Sequence, residues 1–260
     1  MQPKKIALQD VSYIAEEAGV KIMSIFNNIE DYPYIKNKLA VEETATITSL
    51  KSIMRGLRSI HKNVPIFHSQ STKLPFEKTN SLKRFWLVDE LNGLKRFSNK
   101  KEDFTINIAL IERQTPVLGM VYAPAHETLY MASEEGAYKV KEGKKQLLYS
   151  SKKLNNLIAI GNKETINNND NKILKNYPIS DFLDIEGPLS FCMIAEGKAD
   201  IYYCSQQLMD REFAAGSLVL EISGGKIFNE KCQPLVYNKP FIKKQNLICI
   251  GNPYVFNPPA

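Results

Sequence analysis

A chain of 260 residues, 43% apolar and 24% charged, has the size and balance of one large soluble unit or two closely packed halves. Lys and Arg number 34 against 28 acids, and the surplus of +6 is scattered in short clusters such as Lys100-Lys101 and Lys144-Lys145. No basic stripe with interleaved aromatics appears, which argues against nucleic acid as a partner, and no apolar run is long enough to suggest a membrane span. The mild positive bias still suits a phosphorylated small molecule. The cysteines at 192, 204, 232 and 249 form no CxxC pair, and His61, His68 and His126 lack ligand spacing, so a structural zinc site is not expected. Without a signal peptide the chain reads as a reduced cytoplasmic protein.

Val11, Ile14, Ala15, Ala18, Ile22 and Ile25 recur at helical spacing and predict an amphipathic N-terminal helix, ended by a loop at Asp31 to Pro33. Ile47, Leu50, Ile53, Met54, Leu57 and Ile60 form a second helical stripe, with a cap expected from Thr44, Thr46 or Thr48. Val64 to Phe67 reads as a short strand and Ser69 to Ser81 as a polar loop. Phe85 to Val88 predicts a buried strand that stops on Asp89 and Glu90, with Gly93 allowing a tight turn that presents carboxyl groups at a sheet edge. A Lys-rich loop follows. Phe104 to Ile111, Val117 to Tyr122 and Leu129 to Ala132 then predict an antiparallel meander.

In the second half, Leu157 to Ile160 predicts a strand, and the polar run Asn167 to Asn171 a surface loop or helix start. Pro188 opens a helix through Phe191 and Ile194, stopped by Gly197. Asp200 to Tyr203 is a strand, with Tyr202 and Tyr203 facing one in and one out. Glu212 to Ser223 is a helix with Ala215, Leu218, Val219 and Ile222 on one face, terminated by Gly224-Gly225. Lys226 to Phe228 and Leu247 to Ile250 complete the sheet. These blocks of helices and mostly antiparallel strands argue for layered α/β packing in a single unit over 1–260, with an N-terminal half (1–145) and a C-terminal half (146–260).

Three stretches together resemble one family. Trp86-Leu87-Val88-Asp89-Glu90-Leu91-Asn92-Gly93-Leu94 looks like the motif W-x-x-D-P-[IL]-D-G-T. Phe104 to Ile111 with Pro116 to Pro124 is similar to the segment that follows it. Glu196-Gly197-Lys198-Ala199-Asp200, then Asp210 to Gly216 and Gly224-Gly225, resemble the later E-G-x-A-D, W-D-x-A-A-G and G-G pattern. The family is the inositol-monophosphatase-like, magnesium-dependent phosphatases, with the bacterial 3'(2'),5'-bisphosphate nucleotidases as the most similar branch. The resemblance implies a layered αβαβα sandwich. It also implies magnesium held by acidic side chains, with in-line phosphoester hydrolysis at the ion. Metal positions fall on Asp89, Leu91, Asn92, Glu212 and Ser69, catalytic positions on Asp89, Thr46 and Leu94, and phosphate-binding positions on Gly93 and Leu94.

At most of these positions the residue type departs from the pattern. Asp89 keeps the first metal carboxylate, but the motif Pro is Glu90, the second Asp is Asn92 and the Thr is Leu94. Ser69 stands where a Glu is expected, Thr46 where an Asp is expected, Glu212 where the late Asp is expected and Arg211 where a Trp is expected. Gly161-Asn162-Lys163-Glu164 replaces the nucleotide-contact segment. Each missing carboxylate removes roughly 4 kcal/mol of attraction for a close pair at intermediate dielectric. The expectation is therefore a catalytically impaired or inactive member that still binds a phosphorylated small molecule, alone or as a homodimer. The alternatives are an active phosphomonoesterase whose site is rebuilt by Glu42, Glu43, Glu77, Glu90 or Asp210, and a purely structural module. Asp89 as a turn cap or a partner of Lys95 or Arg96, Asp210 as a helix cap, Arg211 as a surface charge in preference to a phosphate clamp, and Cys192 as a packing residue are the bland expectations beside these.

Overall fold

The computed structural model describes residues 6–29, 38–71, 82–163, 166–229, 231, 233–237 and 245–255. Strands β1 (Ile66–Phe67), β2 (Arg84–Asn92), β3 (Thr105–Glu112), β4 (Thr115–Ala123), β5 (Thr128–Ser133), β6 (Gly136–Lys141) and β7 (Lys144–Leu147) lie side by side in chain order as one sheet. Apart from the parallel β1–β2 edge, every pair is antiparallel, which is the expected meander. The second sheet has the order β11 (Lys226–Asn229), β12 (Gln245–Ile250), β10 (Ile201–Leu208), β8 (Leu157–Gly161), β9 (Ile179–Asp184). Here β8 pairs parallel to both β9 and β10, exceptions in a fold whose described strand pairs are mostly antiparallel as expected. The connections explain this, since α4 (Asn168–Leu174) links β8 to β9 and α5 (Pro188–Ala195) links β9 to β10.

Alternation along the strands builds the layers. Trp86 and Val88 point to one face of the first sheet, where they pack with Val11, Ile14, Ile22, Ile53 and Leu57 of α1 (Leu8–Asn27) and α2 (Lys38–Ile60). Phe85 and Leu87 point to the other face and pack with α5 and α6 (Asp210–Ile222). Leu247 and Cys249 of the second sheet join that same central core, whereas Ile248 and Ile250 join Leu157 and Leu174 on the outer face beside α4. The order helix, sheet, helix, sheet, helix is the αβαβα sandwich.

Helix α6 sits between both sheets, so Phe213 through Leu220 are buried all round instead of along a single stripe, while Ile222 at its end is 39% exposed. One backbone approach makes this possible. A Cβ on Gly119 of β4 would lie 2.7 Å from the carbonyl oxygen of Ala215 in α6. Gly119→Ala is therefore expected to destabilise the protein by about 1–3 kcal/mol, because the obstruction is backbone and cannot rotate away; denaturant unfolding measures it, and an unchanged midpoint would refute the close packing.

Several boundaries differ from the sequence reading. Strand β2 does not stop at Val88 but continues through Asn92, and the Lys-rich loop after Gly93 is the short helix α3 (Leu94–Ser98). Thr44 and Thr46 do not cap α2, which starts at Lys38; their hydroxyls donate to the carbonyls of Ala40 and Glu42 one turn back. Tyr203 does not face outward: Tyr202 is buried in the central core and Tyr203 in the outer one. The sequence pattern does not mark β6, β7 and β9, since β6 and β9 are largely half-exposed or exposed and β7 is exposed throughout. Glu77, Cys232 and the Asp31 to Pro33 loop lie outside the described residues. Among the described residues no helix is long and apolar enough to cross a membrane. Cys192, Cys204 and Cys249 are buried and in no disulfide, and burial pushes the Cys192 and Cys249 thiols up.

Candidate functional site

The end of β2 is organised by an irregularity. Its register with β3 shifts between Asp89 and Asn92, which breaks the alternation. Asp89 keeps to the α6 side, Leu91 falls into the α1–α2 core instead of pointing to α6, and the carbonyl of Glu90 is tied to α2 by the Ser49 hydroxyl at 2.5 Å. Gly93 then takes φ 84°, ψ 39°, a left-handed conformation suited to glycine, and α3 begins at Leu94. Leu94 is 37% exposed and has no polar side-chain atom with which to hold a water.

Asp89 and α6 meet across this crevice. Asp89 is 5% exposed. Its Oδ2 accepts from the Asn92 side-chain amide at 2.7 Å, and its Oδ1 lies 3.7 Å from Nε of Arg211. Burial pushes the Asp89 carboxyl up to about 7, against the opposing pull of Arg211 and the Asn92 hydrogen bond, and the nearby Glu212 and Glu90 charges raise it further. Arg211 is thus not a surface charge, and Asp89 pairs with neither Lys95 nor Arg96; Nε of Arg96 instead donates to both oxygens of Asp103, at 2.7 and 2.8 Å.

Glu212, the third residue of α6, turns its carboxylate back to accept the Met209 backbone N–H at 2.5 Å. The cap position is Met209, so Asp210 is the first helical residue and not the cap. On the other side of β2, Glu90 is 1% exposed and accepts from the hydroxyl of Ser69, with the Ser69 N–H at 3.4 Å. Burial lowers the neighbouring His68 below its ordinary range. Of the other acids considered as replacements, Glu42 accepts from the Ser98 hydroxyl at 2.6 Å and Glu43 is exposed. The structure therefore gathers Asp89, Asn92, Gly93, Glu212 and Arg211 at one crevice, puts Ser69 with Glu90 beside it, and leaves the Thr46 hydroxyl bonded within α2. Sequence reasoning weighed Arg211 as a surface charge or a phosphate clamp and missed its approach to Asp89. Its one signal was a charged residue in a slot where the resembling motif has Trp.

Magnesium wants about six hard oxygens in near-octahedral array. Here one Asp89 oxygen receives an amide proton, the other faces a guanidinium, and Glu212 and Glu90 are held by local donors. A dication at Asp89 would meet a resident positive charge. Among the described residues no group of three or more His, Cys, Asp or Glu is placed to hold a metal. Among the described residues the arrangement of side chains does not fit the ion.

The crevice opens into a cavity of about 200 Å³ between β8, β10 and α4, and Asn92, Gly93, Gly187 and Glu212 are among its lining residues. Gly187 precedes α5 with φ 68°, ψ −153°, and a Cβ there would stand 2.7 Å from Oδ1 of Asn92, so the α5 turn and the end of β2 are fitted to one another.

Comparison with known proteins bears out the family resemblance. A family model described as the inositol monophosphatase family matches residues 10–254. The 3'(2'),5'-bisphosphate nucleotidase CysQ of Salmonella typhimurium is 29% identical over 231 residues, covering 88% of this chain and 93% of that protein. CysQ of Buchnera aphidicola is 30% identical over 227 residues, covering 85% and 83%. In structure, CysQ from Bacteroides thetaiotaomicron superposes with a TM-score of 0.78 at 22% identity over 94% of this chain and 96% of that one. An inositol monophosphatase from Zymomonas mobilis superposes at 0.77 and 19% identity over 95% and 93%.

Proposed function

We propose, because the chain belongs to the inositol monophosphatase family, that it is a bisphosphate-nucleotidase-like member in which hydrolysis is lost or strongly weakened while binding of a phosphorylated small molecule persists. The observation that carries this is the guanidinium of Arg211 beside buried Asp89. A fixed positive charge stands where the family's chemistry calls for a mobile dication. An arginine can attract a phosphate, but it cannot supply an activated water. Asn92 and Ser69 add no charge, and Leu94 cannot orient a nucleophile.

One observation favours a second reading. The Glu90 carboxylate meets the Ser69 hydroxyl, so the charge absent from Ser69 returns from β2. That would begin to rebuild a metal-dependent phosphomonoesterase. Calorimetric titration of Mg²⁺ separates the two. The proposal expects no saturable heat up to about 10 mM, whereas a site that fills below about 1 mM would overturn it in favour of the rebuilt enzyme.

A further inference from the structure

Behind the crevice, β3 carries polar atoms that the fold leaves unsatisfied. The register sets Asn107 of β3 directly opposite Asp89 of β2, and Thr105 opposite Asn92. Ile106 and Ile108 belong to the α1–α2 core, whereas Ala109 and Ile111 belong to the central core, so alternation puts the Asn107 side chain on the α6 side with Asp89. Asn107 is fully buried, and among the described residues neither its Oδ1 nor its Nδ2 has a hydrogen-bond partner; the buried Thr105 Oγ1 has none either. An amide held this way bears its whole desolvation cost, which is unfavourable unless a second arrangement makes use of it. The contacts of Asp89 indicate that arrangement. Its Oδ1 has Nε of Arg211 at 3.7 Å, beyond hydrogen-bond range, and that Nε is itself without a partner. Nη1 of Arg211 donates to the Met209 sulfur at 2.5 Å, a weak acceptor. Little therefore keeps the guanidinium on Asp89 when something else competes for it. Side chains directly opposite on one face hold their Cβ atoms about 4.5–5.5 Å apart, which a change of rotamer turns into an Asp–Asn hydrogen bond. Asn107 offers both a donor and an acceptor, so Nδ2 can serve a carboxylate and Oδ1 a carboxylic acid.

We propose that Asn107 is a positioning residue for Asp89: its side-chain amide takes the Asp89 carboxyl when the Arg211 guanidinium leaves it, so that Arg211 can turn to a bound anion without stranding a buried acid. The turn toward an anion rests on the function proposed above; the exchange of partners at Asp89 does not.

The test is a double-mutant cycle on the full chain at pH 8, read by denaturant melts and by NMR of labelled asparagine side-chain amides. Arg211→Met removes the guanidinium and keeps an apolar stem; Asn107→Leu removes both polar atoms at similar volume. In the unmodified protein Asn107→Leu deletes unpartnered groups, and the folding equilibrium constant is expected to hold or rise. In the Arg211→Met background the same change deprives Asp89 of its partner, and that constant is expected to fall about tenfold. A packing role alone at position 107 would not reverse the sign. The Asn107 amide signals are expected to shift in Arg211→Met with no ligand present. The same effect of Asn107→Leu in both backgrounds, or an unshifted Asn107 amide in a folded Arg211→Met protein, would overturn the proposal; Arg211→Gln serves the same cycle should Arg211→Met not fold. Inorganic phosphate, titrated without magnesium into the unmodified protein, then addresses the anion. Saturable heat with the same amide shift, weakened about tenfold by Asn107→Leu, is the expected result. No heat beside a positive cycle sinks phosphate binding and leaves the exchange of partners standing, whereas phosphate binding with an unmoved Asn107 amide overturns the turn of Arg211 toward the anion.

Discussion

Phosphate release from adenosine 3',5'-bisphosphate, with magnesium present, is expected to run at least about 10⁴-fold slower than in the CysQ nucleotidase of Salmonella typhimurium assayed alongside. The figure combines two losses. Removing the water-orienting groups at Thr46 and Leu94 costs about 10²–10⁴ in rate. Replacing the dication by a fixed guanidinium removes charge stabilisation worth another 10² or more. Asn92→Asp restores one carboxylate but leaves Ser69, Thr46, Leu94 and Arg211 in place. It is expected to stay within about tenfold of the unmodified chain, since groups that act as a unit do not recover singly. Turnover of the unmodified chain close to that of the enzyme would overturn the proposed function.

Arg211→Ala is expected to cost about 1 kcal/mol more folding stability at pH 8 than at pH 5. Removing one partner of a buried pair typically costs about 3–5 kcal/mol when the other must stay charged; here the two groups lie 3.7 Å apart without a hydrogen bond, and Asp89, titrating near 7, avoids most of that cost by taking up a proton. The pH dependence follows from Asp89. Its carboxyl titrates near 7 in the folded protein against 3.8 ordinarily, so the folded state holds a proton that the unfolded chain has released. Stability contributed by this group is therefore present at low pH and is lost as pH rises from about 4 through 7. Without Arg211 the carboxylate has no cation to face, its folded pKa climbs further, and the loss extends to higher pH. At pH 5 Asp89 is protonated in either protein, and the guanidinium matters little to it. Denaturant melts of both proteins at the two pH values read this out. A difference that does not change with pH would mean that the two charges do not sense one another.

Much of the architecture was legible because its cause is local. Alternating apolar residues in β2, β3 and β4 assign one face to the long helices and the other to α6, and both faces are buried as the pattern requires. Pro188 opened α5 where expected. The polar hairpin β6–β7 and strand β9 escaped because their residues are largely exposed and leave no apolar record. In the crevice, residue identity was legible and direction was not. The register shift after Asp89 sends Glu90 toward Ser69 and Leu91 into the core, and no spacing rule foretells where a bulge falls. Likewise, position 211 reads as a solvent-facing first turn until α6 is placed against β2; only then does its side chain reach Asp89.

The placement of α6 has a bearing on engineering. Its residues touch partners contributed before and after the midpoint of the sequence, and Asp89 arrives from the first portion while Arg211 and Glu212 arrive from the second. A chimera that grafts the later portion of an active relative onto residues 1–147 would import new groups opposite an unchanged β2, and would have to match the contour of β4 at Gly119 as well. Activity is thus not transferable by exchanging halves; the donor strand and the donor helix have to move together.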